Sequence, residues 1–318
     1  MNRNRYYVGF FASTLLVMLG TAACSRGPGA ASSGSVVPET MRRIGTVDDR
    51  FQSYNIEMVE VIGGKFWKSY KDIDAIPKGQ ASAKASGSNP AGMDPNLYQQ
   101  RPPIDLTNSR LRKLATALGP TFMRVSGTWA NTTYFHDSDQ PAPRTPPRGF
   151  NGVLTRQQWK GVVDFAGAVD AKLVTSFATS PGARDASGLW TPTQARELLA
   201  YTKSIGGAIA AAEYMNEPTY AAMGGAPVGY DAAAYARDVG VFVPFMKKNS
   251  PDTIILGPGG VGEGMSLMPI GLAGTELKSE DLLKATGPVF DVFSYHSYGA
   301  TSKSLLKNRD PHLMHAFF

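Results

Sequence analysis

Six short apolar runs, at residues 51–58, 121–127, 171–179, 209–215, 253–256 and 290–295, recur at a spacing of roughly forty residues with helix-period segments between them. Strands that alternate with helices in this way build a parallel sheet through right-handed crossovers, either an open doubly wound sheet or a closed barrel. The polar residues decide between the two. Asn55, Glu57, Thr128, Asn131, Asn216, Glu217, Glu263, His296 and Tyr298 lie at or just past the ends of the runs. Barrel enzymes collect functional groups at the carboxyl ends of many strands, whereas an open sheet gathers them near one switch point. The expected fold is therefore α/β, an incomplete (β/α)8 TIM barrel with about six β/α units.

The connecting segments carry helix punctuation. Residues 108–118 have helical apolar spacing and stop at Gly119-Pro120, Thr155 opens a helix that runs to 170, and Thr191-Pro192-Thr193-Gln194 opens another. Asp231 caps a long helix ending near 249, and 276–286 is read as helical. The stretch 63–106, rich in Gly, Pro, Ser and Lys, reads as one long loop, as does the Pro-rich segment 136–150. A hydrophobic content of 42% is enough for a sizeable core and excludes a disordered chain.

The N-terminus has the plan of a secretory signal: Arg3 and Arg5, an apolar run from 8 to 19, then small residues before Cys24, the only cysteine. Cys24 stands where a bacterial lipoprotein signal is cut and lipidated, although Thr21 replaces the usual Leu. The expected organisation is a signal peptide over 1–23, a flexible Gly/Ser/Ala/Pro tether over 24–45 and a partial barrel over 46–318. It implies a membrane-anchored lipoprotein of the bacterial cell envelope, periplasmic or at the cell surface, or a secreted protein. One cysteine excludes an internal disulfide. The net charge is +6 and falls to +4 if Arg3 and Arg5 leave with the signal. That mild basicity suits an acidic polysaccharide, and no run of Lys and Arg interleaved with aromatics points to nucleic acid.

The stretch 210–220, AAAEYMNEPTY, ends an apolar run abruptly in Asn216, Glu217 and Pro218. A carboxylate at the end of a buried strand costs several kcal/mol unless paired or used, so Glu217 is the first candidate for chemistry. The same tripeptide also reads as an ordinary strand-to-loop turn. Asn-Glu-Pro after an apolar strand resembles the acid/base motif of retaining glycosidases built on eight-stranded barrels. With FQSYNIEM at the first run, MRVSGTWANTTYF at the second and FDVFSYHSY at the sixth, the chain resembles the heparanase-like family, glycoside hydrolase family 79, over 51–298. The resemblance implies hydrolysis of β-linked glucuronic acid or a related uronic acid, with Glu217 as proton donor and Asn216 beside it. It also implies substrate contacts from Asn55, Glu57, Thr128, Glu263 and Tyr298. Glu263 departs from the amide of animal heparanases, since a carboxylate facing a uronate repels it.

A second departure concerns the partner of Glu217. Retaining enzymes need a nucleophilic carboxylate about 5 to 5.5 Å from the acid, which the resemblance places after a seventh strand. The sequence ends at Phe318 with no Asp or Glu after Asp310, no seventh or eighth strand and no following β-sandwich. The expectation is a truncated product without glycosidase activity by itself. The competing function is a non-catalytic, lipid-anchored carbohydrate-binding protein that keeps the pocket. Neither needs a metal or organic cofactor.

Several residues have plainer readings. Glu213 shares the strand parity of Glu217 and reads as a buried, hydrogen-bonded structural residue. His296 reads as a site residue because Tyr298 is close by. His312 and His315 have helical ligand spacing without an HExxH context, so no metal is expected there. Gly257, Gly259 and Gly262 fit GxGxxG with Asp281 downstream, but Pro258 and the lack of a following helix argue against a nucleotide. Trp129 is either a sugar-stacking platform or a packed aromatic.

Overall fold

A computed structural model describes residues 38–43, 45–75, 95–262 and 277–297. Cys24, the proposed signal peptide, Glu263, Tyr298, His312 and His315 lie outside the described residues. The chain divides into two compact units, Met1–Thr46 and Val47–Phe318. In the first, the described residues form a 3-10 turn, Pro38–Thr40, and Arg43 hydrogen-bonds Gly45 O and Thr46 Oγ1.

The second unit opens with β1 (Ser53–Glu57), α1 (Met58–Ile62), β2 (Gly64–Trp67), α2 (Tyr70–Asp74), β3 (Tyr98–Arg101), α3 (Ser109–Thr116) and β4 (Thr121–Ser126). It continues with β5 (Thr133–His136), β6 (Gly152–Thr155), α4 (Arg156–Ala168), β7 (Ala171–Ser176), α5 (Thr193–Ser204) and β8 (Ile209–Glu213). The last described elements are α6 (Ala232–Asn249), β9 (Ile254–Val261), α7 (Ser279–Thr286) and β10 (Val292–His296).

The main sheet has the order β1-β4-β7-β8-β9-β10, and every adjacent pair is parallel. Spatial order thus follows chain order without a reversal. A doubly wound sheet reverses at its switch point, whereas a barrel adds each strand on the same side. The six strands form a half-barrel, a partial (β/α)8-type fold, with β1 and β10 as its two edges among the described residues.

Local sequence explains the helices that cover this sheet. Thr155 and Gln158 form a reciprocal capping box at the start of α4: Gln158 N–H donates to Thr155 Oγ1 at 3.2 Å and Thr155 N–H to Gln158 Oε1 at 2.9 Å. The helix then buries Trp159, Val162, Phe165 and Ala166 on one face, each large side chain contributing about 1.5–3 kcal/mol. Asp231 caps α6 by accepting from Ala234 N at 2.8 Å, and Asn108 caps α3 by accepting from Arg110 and Leu111 N–H.

Three segments differ from the sequence expectation. The stretch 63–106 is not simply loop, because β2 and β3 pair antiparallel across it. β5 and β6 form a two-stranded parallel ribbon flanking the Pro-rich segment. The glycine-rich 257–261 is strand: β9 runs through Gly257, Pro258, Gly259 and Gly260. A Cβ on Gly257 would meet the Phe290 ring, and Gly259, at φ +72°, passes close to Glu213. Among the described residues no helix is long and apolar enough to cross a membrane, and no group of three metal-ligating side chains occurs.

Candidate active site

Strand register sets the centre of the site. β1 and β4 pair Asn55 with Arg124 and Glu57 with Ser126. Because strand residues alternate faces, Asn55, Glu57 and Arg124 share the face opposite buried Ile56, Met123 and Val125. Arg124 reaches three neighbours. It donates from Nη2 to Glu213 Oε2 at 2.7 Å and Asn216 Oδ1 at 2.8 Å, and from Nη1 to Asn55 Oδ1 at 2.9 Å. A planar guanidinium suits this branched task.

The end of β8 is held from both sides. Tyr214 turns outward and donates to Asp238 Oδ2 at 2.8 Å, an acceptor shared with Arg184 and Tyr230. Asn131, wholly buried, takes the Asn216 N–H on Oδ1 and donates from Nδ2 to the Asn216 carbonyl, each at 2.9 Å. Its own carbonyl accepts from Thr179 and Ser180 N–H, so one side chain and its peptide tie together the loops after β4, β7 and β8.

Glu217 follows in the left-handed region at φ +50° and ψ +58°. An L side chain there costs on the order of 1 kcal/mol, and such residues cluster at functional sites. Its Oε1 lies 2.9 Å from His296 Nδ1, at the end of β10. The other ring nitrogen, Nε2, is 3.9 Å from Glu213 Oε1, an ionic contact longer than a hydrogen bond. His296 thus stands between two carboxylates.

The charge states follow from this geometry. Burial alone would lower the His296 pKa, but Glu213 and Glu217 outweigh it and raise the pKa to about 9, so the ring is a cation at neutral pH. Burial alone would raise Glu213, yet His296 and Arg124 bring it down to about 2. Glu57 goes the other way: burial lifts it to about 7, with the Glu217 charge adding to that and Arg124 opposing it. Its Oε1 accepts from Asn55 Nδ2 at 2.9 Å, while Oε2 is buried without a hydrogen-bond partner. The Glu57 carboxyl occupies the space where a side chain at Gly127 would begin, and Gly127 has φ +90°. Only glycine satisfies both demands.

The structure therefore brings together Asn55, Glu57, Thr128, Asn216, Glu217 and His296. Thr128 is joined through Asn216, its Oγ1 3.4 Å from Asn216 Nδ2. Arg124 was missed in the sequence. Its signal was an arginine at the centre of an otherwise apolar strand, between Met123 and Val125. Glu213 is a buried partner of Arg124, as its parity implied.

No protein-family model matches the sequence, and no curated protein matches it. Among solved structures the chain is similar to the catalytic domain of GH30 xylanase C from Talaromyces cellulolyticus, at 15% identity and TM-score 0.38, over 61% of this chain and 50% of that one. It is also similar to a family 51 α-L-arabinofuranosidase from Bifidobacterium longum, at 15% identity and TM-score 0.40, over 65% and 41% of the two chains. A third is the endo-1,4-β-mannanase from Rhizomucor miehei, at 13% identity and TM-score 0.38, over 61% and 64%. The chain spans less than two thirds of each of these structures.

Proposed function

We propose that this chain carries the acid/base centre of a retaining glycoside hydrolase acting on β-linked glucuronides or related uronic-acid glycans, with Glu217 as the acid/base. The observation that carries this reading is the Glu217–His296 contact of 2.9 Å at the carboxyl ends of β8 and β10. His296 holds a proton beside Glu217 Oε1. In this reading Glu217 acts as a carboxylic acid that gives its proton to the leaving glycosidic oxygen, and the carboxylate so formed is stabilised by the His296 imidazolium at 2.9 Å. In the second half of the reaction the carboxylate takes a proton from water. Asn216, oriented by Arg124 and Asn131, has only a 3.4 Å contact on Nδ2 and can turn that amide to a sugar hydroxyl.

Retention also requires a nucleophilic carboxylate. Glu213 is engaged by Arg124 and His296, and burial lifts Glu57 to about 7, so that it is only partly ionised at neutral pH; neither suits that role. The proposed nucleophile lies outside the described residues. A second reading, saccharide binding without turnover, rests on Glu213 being tied to Arg124 and His296 rather than open to an anomeric carbon. The proposal includes delivery by the 1–23 signal and a lipid on Cys24, which metabolic labelling with palmitate and a Cys24→Ser control would test.

Hydrolysis of 4-nitrophenyl β-D-glucuronide separates the readings. Turnover that Glu217→Ala abolishes, and that azide restores as β-glucuronyl azide, supports the hydrolase. Binding of uronic oligosaccharides with no turnover supports the second reading, and turnover untouched by Glu217→Ala contradicts both.

A further inference from the structure

Asn151-Gly152 is the only Asn-Gly step in the sequence. It opens β6, and packing holds the glycine there: a Cβ at 152 would lie 2.6 Å from Ile62 Cδ1 and 3.1 Å from Thr133 Oγ1. Asn151 is exposed, and its side-chain amide makes no hydrogen bond among the described residues. Its own N–H is donated to Thr132 O at 2.8 Å, on the side of β5. Peptide N–H groups alternate in direction along a strand, so that of Gly152 points away from β5. Among the described residues the β5–β6 sheet has two strands, and the ladder therefore leaves this N–H unused.

We propose that Asn151-Gly152 is a site of spontaneous modification, at which the folded chain converts Asn151 to aspartate and isoaspartate. The Gly152 nitrogen attacks the Asn151 side-chain carbonyl carbon and closes a five-membered imide. The bond from that carbon to the amide nitrogen breaks, and the nitrogen leaves as ammonia with the proton given up by Gly152. Water then opens the imide at either carbonyl, giving an aspartyl or an isoaspartyl link. No electrons are exchanged, and water is the only co-reactant. Glycine in the second position favours the ring closure, because it has no side chain and its backbone reaches conformations closed to other residues. Asparagine is among the thermolabile residues, and here no side-chain hydrogen bond has to break first.

Other asparagines fail one of these conditions. Asn131 and Asn216 are buried and hydrogen-bonded. Asn108 and Asn249 each precede a serine, but Asn108 Oδ1 caps α3 and Asn249 Nδ2 donates to Phe245 O at 2.7 Å. The change at Asn151 would put a carboxylate on the wall of a cavity that Arg144 also lines. In the isoaspartyl form it would also add a methylene to the main chain at the start of β6, against the register that pairs Thr133 with Gly152.

The test is incubation of the folded full chain in mildly alkaline buffer, followed by tryptic mapping with mass spectrometry. The peptide 149–156, bounded by Arg148 and Arg156, carries Asn151 as its one asparagine. It is expected to gain the mass of one amide-to-acid exchange, to split into two isomers, and to do so ahead of the peptides carrying Asn108 and Asn249. Released ammonia should match the acid formed at this peptide, and Asn151→Gln should remove that share. A parallel incubation in urea separates fold from sequence. Conversion in urea but not in the native chain overturns the proposal, as does native conversion no faster than at Asn108 or Asn249. Ammonia release unchanged by Asn151→Gln overturns it too.

Discussion

His296 Nδ1 lies 2.9 Å from Glu217 Oε1 across 79 residues of chain, and its other ring nitrogen faces Glu213. A cation between two carboxylates is linked to folding. The His296 pKa is about 9 in the fold against 6.5 as the ordinary value, so its stabilisation is fully present below pH 6.5 and is lost as pH rises through 9. The full span corresponds to about 3 kcal/mol. Histidine NMR should show one ring titrating near 9, and His296→Gln should flatten the fall in stability between pH 7 and 9. A ring titrating at or below 6.5 would contradict this.

Glu57 has the opposite effect. Its pKa rises from 4.5 to about 7 on folding, so the fold favours the protonated carboxyl and relative stability declines as pH climbs from 4.5 through 7. Glu57→Gln should leave stability near its wild-type value at pH 4 and raise it at pH 8, by up to about 3 kcal/mol. Thermal melts at the two pH values check this, and a variant that is less stable at pH 8 argues against a protonated Glu57.

Arg124 is a positioning residue for three partners at once. Arg124→Met leaves Glu213 buried with only the longer His296 contact, a loss of about 3–5 kcal/mol. Adding Glu213→Gln should return part of that loss, because the uncompensated charge is gone. Urea titrations of the single and double variants give the answer. Strict additivity of the two changes would mean that the pair is not coupled.

What could be read from the sequence was local. Strand ends, the Thr155 helix start, the Asp231 cap and the abrupt Asn216-Glu217-Pro218 step each depend on neighbours within a few residues, and all six strands of the main sheet were anticipated. The β2–β3 pairing was not, because it joins segments about thirty residues apart whose register only the folded chain defines. Arg124 was hidden for a related reason: its partners lie on β1, at the end of β8 and just past it, and nothing in TFMRVS shows that they converge. Glu57 was legible as a position but not as a charge state, which depends on its packing against Gly127 and on the distant Glu217.

The most direct measurement is the leaving-group dependence of hydrolysis in wild type and Glu217→Gln, using phenyl and 2,4-dinitrophenyl β-D-glucuronide. Dinitrophenolate departs without a proton, whereas phenolate needs one. If Glu217 is the acid, Glu217→Gln slows the phenyl substrate by a factor on the order of 10² to 10⁴ and formation of the glycosyl-enzyme from the dinitrophenyl substrate far less. Equal slowing of both, or of neither, would contradict the role assigned to Glu217.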